Sequence, residues 1–142
     1  MKLLDLNLLL YAVNRDSPHH GAAKAWLDAT LIGDEAVGIP WVVVLGFLRL
    51  TTSARVFARP ITPKQAVSVV SGWLAQPSVS MINPGGEHWR LLRDIITDTG
   101  TSGNLTTDAH LAALAIETGA ELCSTDADFA RFPHLQWTNP LR

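Results

Sequence analysis

Short apolar runs alternate with helical patterns along almost the whole chain, and this alternation restricts the possible folds more than any other sequence feature. Strands separated by helices form right-handed βαβ units, in which the strands are parallel and helices cover both faces of the sheet. The sequence therefore predicts an α/β fold, a three-layer α/β/α sandwich around a mostly parallel sheet. The predicted strands are KLL before Asp5, AVGI at 36–39, VSMI at 79–82, LCS at 122–124 and LQWT at 135–138.

Six helical patterns accompany these strands, and several have clear start and stop signals. The strongest start is Thr62-Pro63-Lys64-Gln65, a capping box with proline at the first helical position. Gly119 is typical of the residue that ends a helix. The predicted helices are residues 7–14, 18 to about 31 with Ser17 as the cap, 41 to about 52, 63 to about 75, 86–99 and 107–118.

Length and composition predict one domain over residues 1–142. The chain has 142 residues, of which 47% are hydrophobic and 17% charged, enough for one α/β core and too few for two. A single cysteine, Cys123, excludes an intrachain disulfide and favours a reducing cytoplasm. The apolar start of the chain is interrupted by Asp5 and Asn7, so it is too short and too polar to span a membrane. We expect a soluble protein.

Four aspartates are predicted to meet at one edge of the sheet. Asp5 directly follows the first predicted strand, and Asp126 and Asp128 follow the fourth. Asp108 lies in the first turn of the helix before that fourth strand, and this helix runs antiparallel to the strand. Its amino end therefore lies at the edge where the strands have their carboxyl ends, which is where α/β sheets bind ligands. Considered alone, Asp108 could instead cap its helix or favour the helix dipole.

Other candidates for this edge fail the same test. Glu117 is nine residues beyond Asp108, which places it ~13 Å along the helix and at the opposite end. Asp34, Glu35 and Glu121 precede strands and belong to the other edge of the sheet. The five histidines lie near turns or on other helix faces, and we predict that they are structural or exposed.

A group of carboxylates without histidine or cysteine predicts a hard cation. Two unit charges 4 Å apart repel by about 4 kcal/mol at an effective dielectric constant near 20, so such a group must take up protons or bind a cation. Oxygen ligands alone select Mg²⁺ or Mn²⁺. Such an ion deprotonates water and neutralises the charge that develops on a phosphodiester, so the predicted chemistry is that of a metal-dependent nuclease.

Three segments carry a family resemblance that covers essentially the whole chain. LLDLNLLLYA, FLRLTTSARVF and TTDAHLAALAIETGAELCSTDADFARF resemble a PIN domain, and more closely the VapC toxins of bacterial toxin–antitoxin pairs. The resemblance implies a Mg²⁺-dependent endoribonuclease that forms a homodimer and is neutralised by a small VapB-type antitoxin in a hetero-oligomer. By position, Asp5, Asp108 and Asp126 resemble the metal ligands of the family, and Asp128 resembles an auxiliary catalytic acid.

One position departs from the family pattern. The helix after the second strand usually carries a glutamate, and the aligned residue in VVLGFLRL is Gly46. We expect that Asp128 or water completes the coordination and that a second metal ion is held weakly. The alternative is that the chain is a binding module with a PIN fold that holds RNA or a protein partner with little or no cleavage.

Two further surfaces are predicted around this site. Because the net charge is −2, attraction to RNA needs a local basic patch, and Arg49, Arg55 and Arg59 form the one local cluster. Thr125, like Ser124 and Thr107, could donate a hydrogen bond to water or phosphate. The five tryptophans are expected to be mostly in the core. Some of them, with Phe47, Val56 and Phe57, are predicted to line an apolar groove for an antitoxin helix.

Two other phosphate chemistries are excluded by single residues. A phosphatase of the haloacid dehalogenase type needs Asp-x-Asp after its first strand, whereas this chain has Asp5-Leu6-Asn7. A receiver domain needs a lysine late in the chain, and no lysine follows Lys64. The nuclease and the binding module therefore remain as the two hypotheses.

Overall fold

A computed structural model describes residues 1–142, and its centre is a five-stranded sheet in which all neighbouring strands are parallel. The spatial order is β3-β2-β1-β4-β5, so the first strand lies in the middle. The predicted α/β class and parallel sheet are confirmed. The strands are β1 Lys2–Leu4, β2 Val37–Pro40, β3 Val79–Ile82, β4 Glu121–Cys123 and β5 Trp137–Thr138.

Six helices cover the sheet, and each corresponds to a predicted helix. Two short 3-10 turns, Gly103–Leu105 and Ala127–Arg131, precede α6 and follow β4. The capping box at Thr62 is present: its side chain accepts from the Gln65 amide, and the Gln65 side chain accepts from the Thr62 amide. The helices are α1 Leu6–Val13, α2 His20–Ile32, α3 Trp41–Thr51, α4 Pro63–Leu74, α5 His88–Thr99 and α6 Thr106–Thr118.

The predicted cap of α2 was wrong. α2 begins at His20, and its N-cap residue is His19, which makes no capping hydrogen bond through its side chain. Ser17 instead holds the preceding turn, because its hydroxyl accepts from the His19 amide at 3.1 Å and its carbonyl accepts from the His20 amide at 3.1 Å. A serine that bonds the amide two residues ahead stabilises a turn of this kind without starting the helix.

The core is one cluster of 28 buried hydrophobic residues that lies between the sheet and its helices. α6 contributes six residues to this cluster, and its alanines at 109, 112, 113 and 115 are fully buried, so the helix can lie close to its neighbours. The tryptophans only partly meet the expectation of a core role. Trp73 is buried, but Trp41 and Trp89 are 50% and 67% exposed. None of the helices has the length and apolar character that crossing a bilayer requires.

The register of the central strands positions the functional residues. Leu4 of β1 is paired with Cys123 of β4, and the next residues, Asp5 and Ser124, leave the sheet side by side. The Asp5 amide donates to the Cys123 carbonyl at 3.0 Å, which continues the pairing for one residue beyond the strand. Two segments far apart in the chain therefore meet at the carboxyl edge of the sheet.

Candidate functional site

Asp5 is a buried carboxylate whose two oxygens are both hydrogen-bonded by the protein. It is the N-cap of α1, and its Oδ1 accepts from the Leu6 amide at 2.7 Å. Its Oδ2 accepts from the Ser124 hydroxyl at 2.6 Å, and the residue is only 8% exposed. An aspartate at this position satisfies a free amide at the start of the helix, so the local fold alone favours the residue. The second bond fixes the direction of the carboxylate.

Ser124 connects several parts of this site. Its hydroxyl donates to Asp5, accepts from the Asp126 amide at 3.0 Å and lies 3.4 Å from the Asn7 side-chain nitrogen. The Trp137 indole donates to the Ser124 carbonyl at 3.0 Å and anchors the segment from β5. The sequence analysis gave Ser124 no more weight than its neighbours. Its alignment with Asp5 across β1 and β4 is the signal that identifies it.

Asp108, Asp126 and Asp128 form a compact acidic group. One carboxylate oxygen from each lies within 4.8 Å of the others. Asp126 is the N-cap of the 3-10 turn and accepts from the Asp128 amide at 2.9 Å, which orders both residues. Asp108 is in the first turn of α6, but the N-cap of that helix is Leu105 and has no side-chain bond. The capping role considered for Asp108 is therefore not observed.

Burial and neighbouring negative charge raise the pKa values of Asp108 and Asp5. The pKa of Asp108 is raised to about 6, first because the carboxyl is partly desolvated and then because Asp5, Asp126 and Asp128 are negative. The pKa of Asp5 is also raised, chiefly by burial, although the hydrogen bonds from Ser124 and Leu6 oppose the shift. Ionising all these groups in the free protein is costly. A bound cation would reduce this cost.

The donor set fits a hard divalent cation. Every candidate ligand is an oxygen, and no cysteine or histidine joins the acidic group. The side-chain oxygen of Asn7 is buried without a hydrogen-bond partner, beside Ser124, which leaves a neutral oxygen near the carboxylates. The compact group contains Asp108, Asp126 and Asp128, whereas the predicted ligands were Asp5, Asp108 and Asp126. Asp5 is not a member of this group, and its two oxygens accept hydrogen bonds from the Leu6 amide and the Ser124 hydroxyl.

Gly46 lies where α3 crosses the start of α1. A Cβ atom at this position would stand 2.6 Å from Cδ2 of Leu6, so any side chain requires Leu6 to move. The glycine is buried, and the Leu6 side chain approaches the helix backbone in the space that a side chain would occupy. The missing glutamate is therefore coupled to a local packing arrangement.

The predicted RNA-binding residues have different surroundings in the fold. Arg59 forms a bidentate ion pair with Asp16, with distances of 2.6 and 3.3 Å, beyond the carboxyl end of α1. Arg49 and Arg55 are exposed and make no ion pair. Thr125 is half-buried and directly precedes Asp126. Binding of RNA by these four residues stays a prediction.

Arg131 is a basic residue of the site that the sequence analysis missed. Its Nη2 lies 3.5 Å from Asp128 Oδ1, and its Nε donates to the Asp128 carbonyl at 3.2 Å. Its charge also opposes the upward shift of the Asp108 pKa. The signal in the sequence was its spacing, since Arg131 is three residues after Asp128.

A cavity of about 710 Å³ lies between α1, α2, α4 and the segment from Phe57 to Ile61. Its apolar lining includes Phe57, and its polar lining includes the Asp16–Arg59 ion pair. Phe47, which was predicted to line a groove, is instead fully buried with its ring 4.7 Å from that of Trp73. Val56 is exposed and is not part of the cavity lining. Further apolar lining residues are Ala12, Val13, Leu27, Ile61, Val69 and Trp73.

The chain is similar to known proteins over almost its whole length. The family model described as PIN domain matches residues 2–135. Ribonuclease VapC37 of Mycobacterium tuberculosis is 46% identical over 140 residues, which are 99% of this chain and 97% of that protein. Ribonuclease VapC33 of the same species is 44% identical over 142 residues, which are 100% of this chain and 99% of that protein.

Solved structures show the same fold at lower sequence identity. A chain in the structure of VapBC2 from Rickettsia felis, bound to a DNA fragment from their promoter, has a TM-score of 0.72 at 18% identity, covering 97% of both chains. The structure of VapC20 from Mycobacterium tuberculosis, described as a Sarcin-Ricin loop cleaving toxin, has a TM-score of 0.69 at 15% identity. It covers 96% of this chain and 99% of that chain. At such identities the similarity concerns the fold alone.

Proposed function

This chain belongs to the PIN domain family and, within it, to the VapC ribonucleases, and from this premise we propose that it is a metal-dependent endoribonuclease that acts as a toxin. The observation that carries the proposal is the acidic group of Asp108, Asp126 and Asp128 next to the buried Asp5. Four carboxylates at one edge of a sheet, without basic residues to neutralise all of them, suit a cation and a phosphodiester.

The residues have separate roles in the proposed reaction. Asp108 and Asp126 would hold Mg²⁺, or Mn²⁺ in its place, with the buried Asp5 as the third ligand and the exposed Asp128 as the auxiliary acid. When bound, the cation supplies an activated water and neutralises charge on the phosphate. Ser124 keeps the Asp5 carboxylate and the Asp126 backbone in a fixed relative position through its hydroxyl. This preorganisation favours metal binding, because side chains that are already in position lose little conformational freedom when the ion binds.

We propose that the substrate is single-stranded or looped RNA, a tRNA, rRNA or mRNA in the cytoplasm, and that its cleavage inhibits translation and growth. The support comes from the relatives named ribonuclease, which are 46% and 44% identical to this chain. Bases of single strands and loops are accessible to a protein surface, whereas those of paired RNA are not.

A VapB-type antitoxin is the proposed protein partner. The cavity between α1, α2 and α4 combines an apolar floor with an exposed ion pair, a combination that suits an amphipathic segment of another chain. We also propose a homodimer that binds antitoxin as a hetero-oligomer. Trp41 and Leu45 support the dimer, since they lie one turn apart on α3 and are 50% and 60% exposed.

The function is tested by cleavage of total RNA over a titration of Mg²⁺ and Mn²⁺. We expect cleavage by the natural chain and none by Asp5→Asn, which keeps the shape of the side chain and removes its charge. Retained binding of RNA or antitoxin without cleavage at any metal concentration would favour the alternative, a PIN-fold binding module. Gly46 is the specific observation behind that alternative, because it removes an acid from the usual set.

Gly46 also predicts a weak second metal site. Cleavage should therefore need high Mg²⁺ or prefer Mn²⁺. Gly46→Glu alone is a poor test, because its Cβ would meet Leu6. We expect the double variant Leu6→Ala/Gly46→Glu to fold better than Gly46→Glu and to reach half-maximal cleavage at lower Mg²⁺ than Leu6→Ala. An unchanged metal requirement in the well-folded double variant would contradict the predicted weak site.

A further inference from the structure

Arg131 projects from the same short segment that carries Asp126 and Asp128. It is the last residue of the 3-10 turn, and the two phenylalanines on either side of it in the chain, Phe129 and Phe132, are buried in the core. These aromatic anchors fix the backbone, whereas the Arg131 side chain is 41% exposed. The guanidinium therefore starts from a rigid base and has freedom only in its own rotamers.

The contact that holds Arg131 in the free protein is weak. The Nη2 to Oδ1 distance to Asp128 is 3.5 Å and the side chain of Asp128 is 50% exposed, while Nε donates to the Asp128 main-chain carbonyl at 3.2 Å. By contrast, the Arg59–Asp16 pair is bidentate with a shorter distance of 2.6 Å. Exposed pairs with long distances contribute little, because water solvates both partners nearly as well. The Arg131 guanidinium can thus leave Asp128 for another anion at small cost.

Arg131 is also the single lysine or arginine that forms an ion pair with an acid of the site. The other ion pairs of the chain engage Asp16, Asp28, Glu35, Glu87, Asp94 and Glu121, none of which belongs to the acidic group. A nucleic acid that approaches these carboxylates is repelled by them. A guanidinium at their border offers two parallel donors to phosphate oxygens and offsets part of that repulsion.

We propose that Arg131 binds a backbone phosphate of the RNA, adjacent to the phosphate at the acidic group, and that Asp128 holds the guanidinium only until RNA arrives. The inference rests on the proposed function, since it takes RNA as the ligand. It adds a substrate-binding residue that lies outside the predicted basic cluster of Arg49, Arg55 and Arg59. It also gives Asp128 a role that does not require it to contact the metal.

The proposal is tested by measuring the affinity for RNA in proteins that cannot cleave it. All proteins carry Asp108→Asn, and the probe is a fluorescent single-stranded oligoribonucleotide whose anisotropy is followed over a range of salt concentrations in Mg²⁺. Arg131→Ala is compared with Arg90→Ala, a matched control because Arg90 also pairs with an acid three residues away on an exposed surface. Melting temperatures verify that each variant is folded.

We expect Arg131→Ala to weaken binding about fivefold and to reduce the slope of log K against log salt by about 0.7, the value for one phosphate contact on a single strand. Arg90→Ala should change neither quantity. Arg131→Lys should retain the salt slope and lose part of the affinity, because a lysine is a point charge without the planar fork. Equal effects of Arg131→Ala and Arg90→Ala would overturn the proposal, as would a failure of every variant to bind RNA.

A double-mutant cycle distinguishes a moving guanidinium from general electrostatics. Asp128→Asn should tighten RNA binding two- to threefold while Arg131 is present, and by less in the Arg131→Ala background, because the released guanidinium is then absent. Equal tightening in both backgrounds means that Arg131 does not exchange Asp128 for RNA and contradicts that part of the proposal. The proposed nuclease function fails separately, if the chain with Asp108 intact cuts no RNA while these binding effects persist.

Discussion

The two ends of α1 lead to two regions with opposite electrostatic organisation. At the amino end, Asp5 lies near three other aspartates. The one ion pair that these acids make is the long contact between Asp128 and Arg131. At the carboxyl end, the cavity is lined by both signs, and Asp16 is paired with Arg59. Paired opposite charges on a surface need no ligand, whereas clustered like charges cost stability until a cation binds. The difference supports the proposed ion and phosphate site at one end and the proposed protein-binding surface at the other.

The two regions also differ in how their side chains are held. Ser124 and the Leu6 amide direct both oxygens of Asp5, so Asp5 is fixed by bonds from the residue after β4 and from the first residue of α1. The cavity depends on helix packing and on two ion pairs between exposed side chains, Asp16–Arg59 and Lys24–Asp28. We therefore expect substitutions at the acidic end to affect catalysis and leave partner binding nearly unchanged. Substitutions in the cavity should affect partner binding and leave catalysis nearly unchanged.

The largest effect is expected for Asp108→Asn on cleavage. Loss of this charge should reduce the rate of RNA cleavage by roughly a thousandfold, in the range seen when a charge-stabilising group is removed from an active site. Antitoxin affinity should stay unchanged, because the cavity is at the other end of α1. Asp98→Asn on the exposed side of α5 is the control. Cleavage at the natural rate by folded Asp108→Asn would reject the assignment of the site.

A second substitution addresses the cavity. Val69→Asp places a charge on the apolar lining and should weaken antitoxin binding about a hundredfold, measured by calorimetry, while RNA cleavage is retained. Val67→Asp is a matched control, since Val67 is on the same helix but 55% exposed and outside the cavity. If Val67→Asp weakened antitoxin binding as much as Val69→Asp, the partner would have to contact another face of α4.

Ser124→Ala tests the support of the acidic end. The change removes the hydroxyl that bonds Asp5 and Asp126, so we expect cleavage to fall about tenfold and the free energy of unfolding to fall by about 1 to 3 kcal/mol. Ser80→Ala in β3 is the control, because Ser80 is exposed. Cleavage kinetics and urea unfolding measure the two effects. An unaltered rate in the variant would show that Ser124 has only a structural role.

The smallest effect concerns the stability of the metal-free protein. The pKa of Asp108 is about 6 in the folded state, above its ordinary value of 3.8, so the folded protein binds the proton more tightly than the unfolded chain does. This group therefore lowers stability as pH rises from about 4 to about 6. Asp108→Asn should be more stable than the natural chain by about 1 kcal/mol at pH 7.5, after allowance for solvent screening, and equally stable below pH 4.

Urea unfolding in a chelator at the two pH values measures this difference. Saturating Mg²⁺ should reverse its sign, because the natural chain then gains binding energy in the folded state alone. A variant that is less stable than the natural chain at pH 7.5 without metal would contradict the repulsion among the four acids. That result would also weaken the contrast between the two ends of α1.

The fold class and the placement of four aspartates at one edge of the sheet could be predicted from the sequence. The order of short apolar runs and helical patterns can be read directly from the sequence and predicts a parallel sheet. Parallel strands place all their carboxyl ends at one edge of that sheet. Asp5, Asp126 and Asp128 follow strands, and Asp108 begins the helix before the fourth strand, so the positions of all four follow from topology. The capping box at Thr62 is a local signal, so the start of α4 could also be predicted from the sequence.

The contacts between side chains of different helices and strands could not be predicted and are seen only in the folded molecule. Arg59 was grouped with Arg49 and Arg55 because they are near in the chain, yet it pairs with Asp16, 43 positions away. Arg131 lies beside the acidic group, and Leu6 occupies the space beside Gly46. Such contacts depend on how helices pack, on the register of β1 and β4 and on individual rotamers, none of which has a periodic signature in the sequence. Side-chain partners therefore required the packed molecule, whereas backbone topology did not.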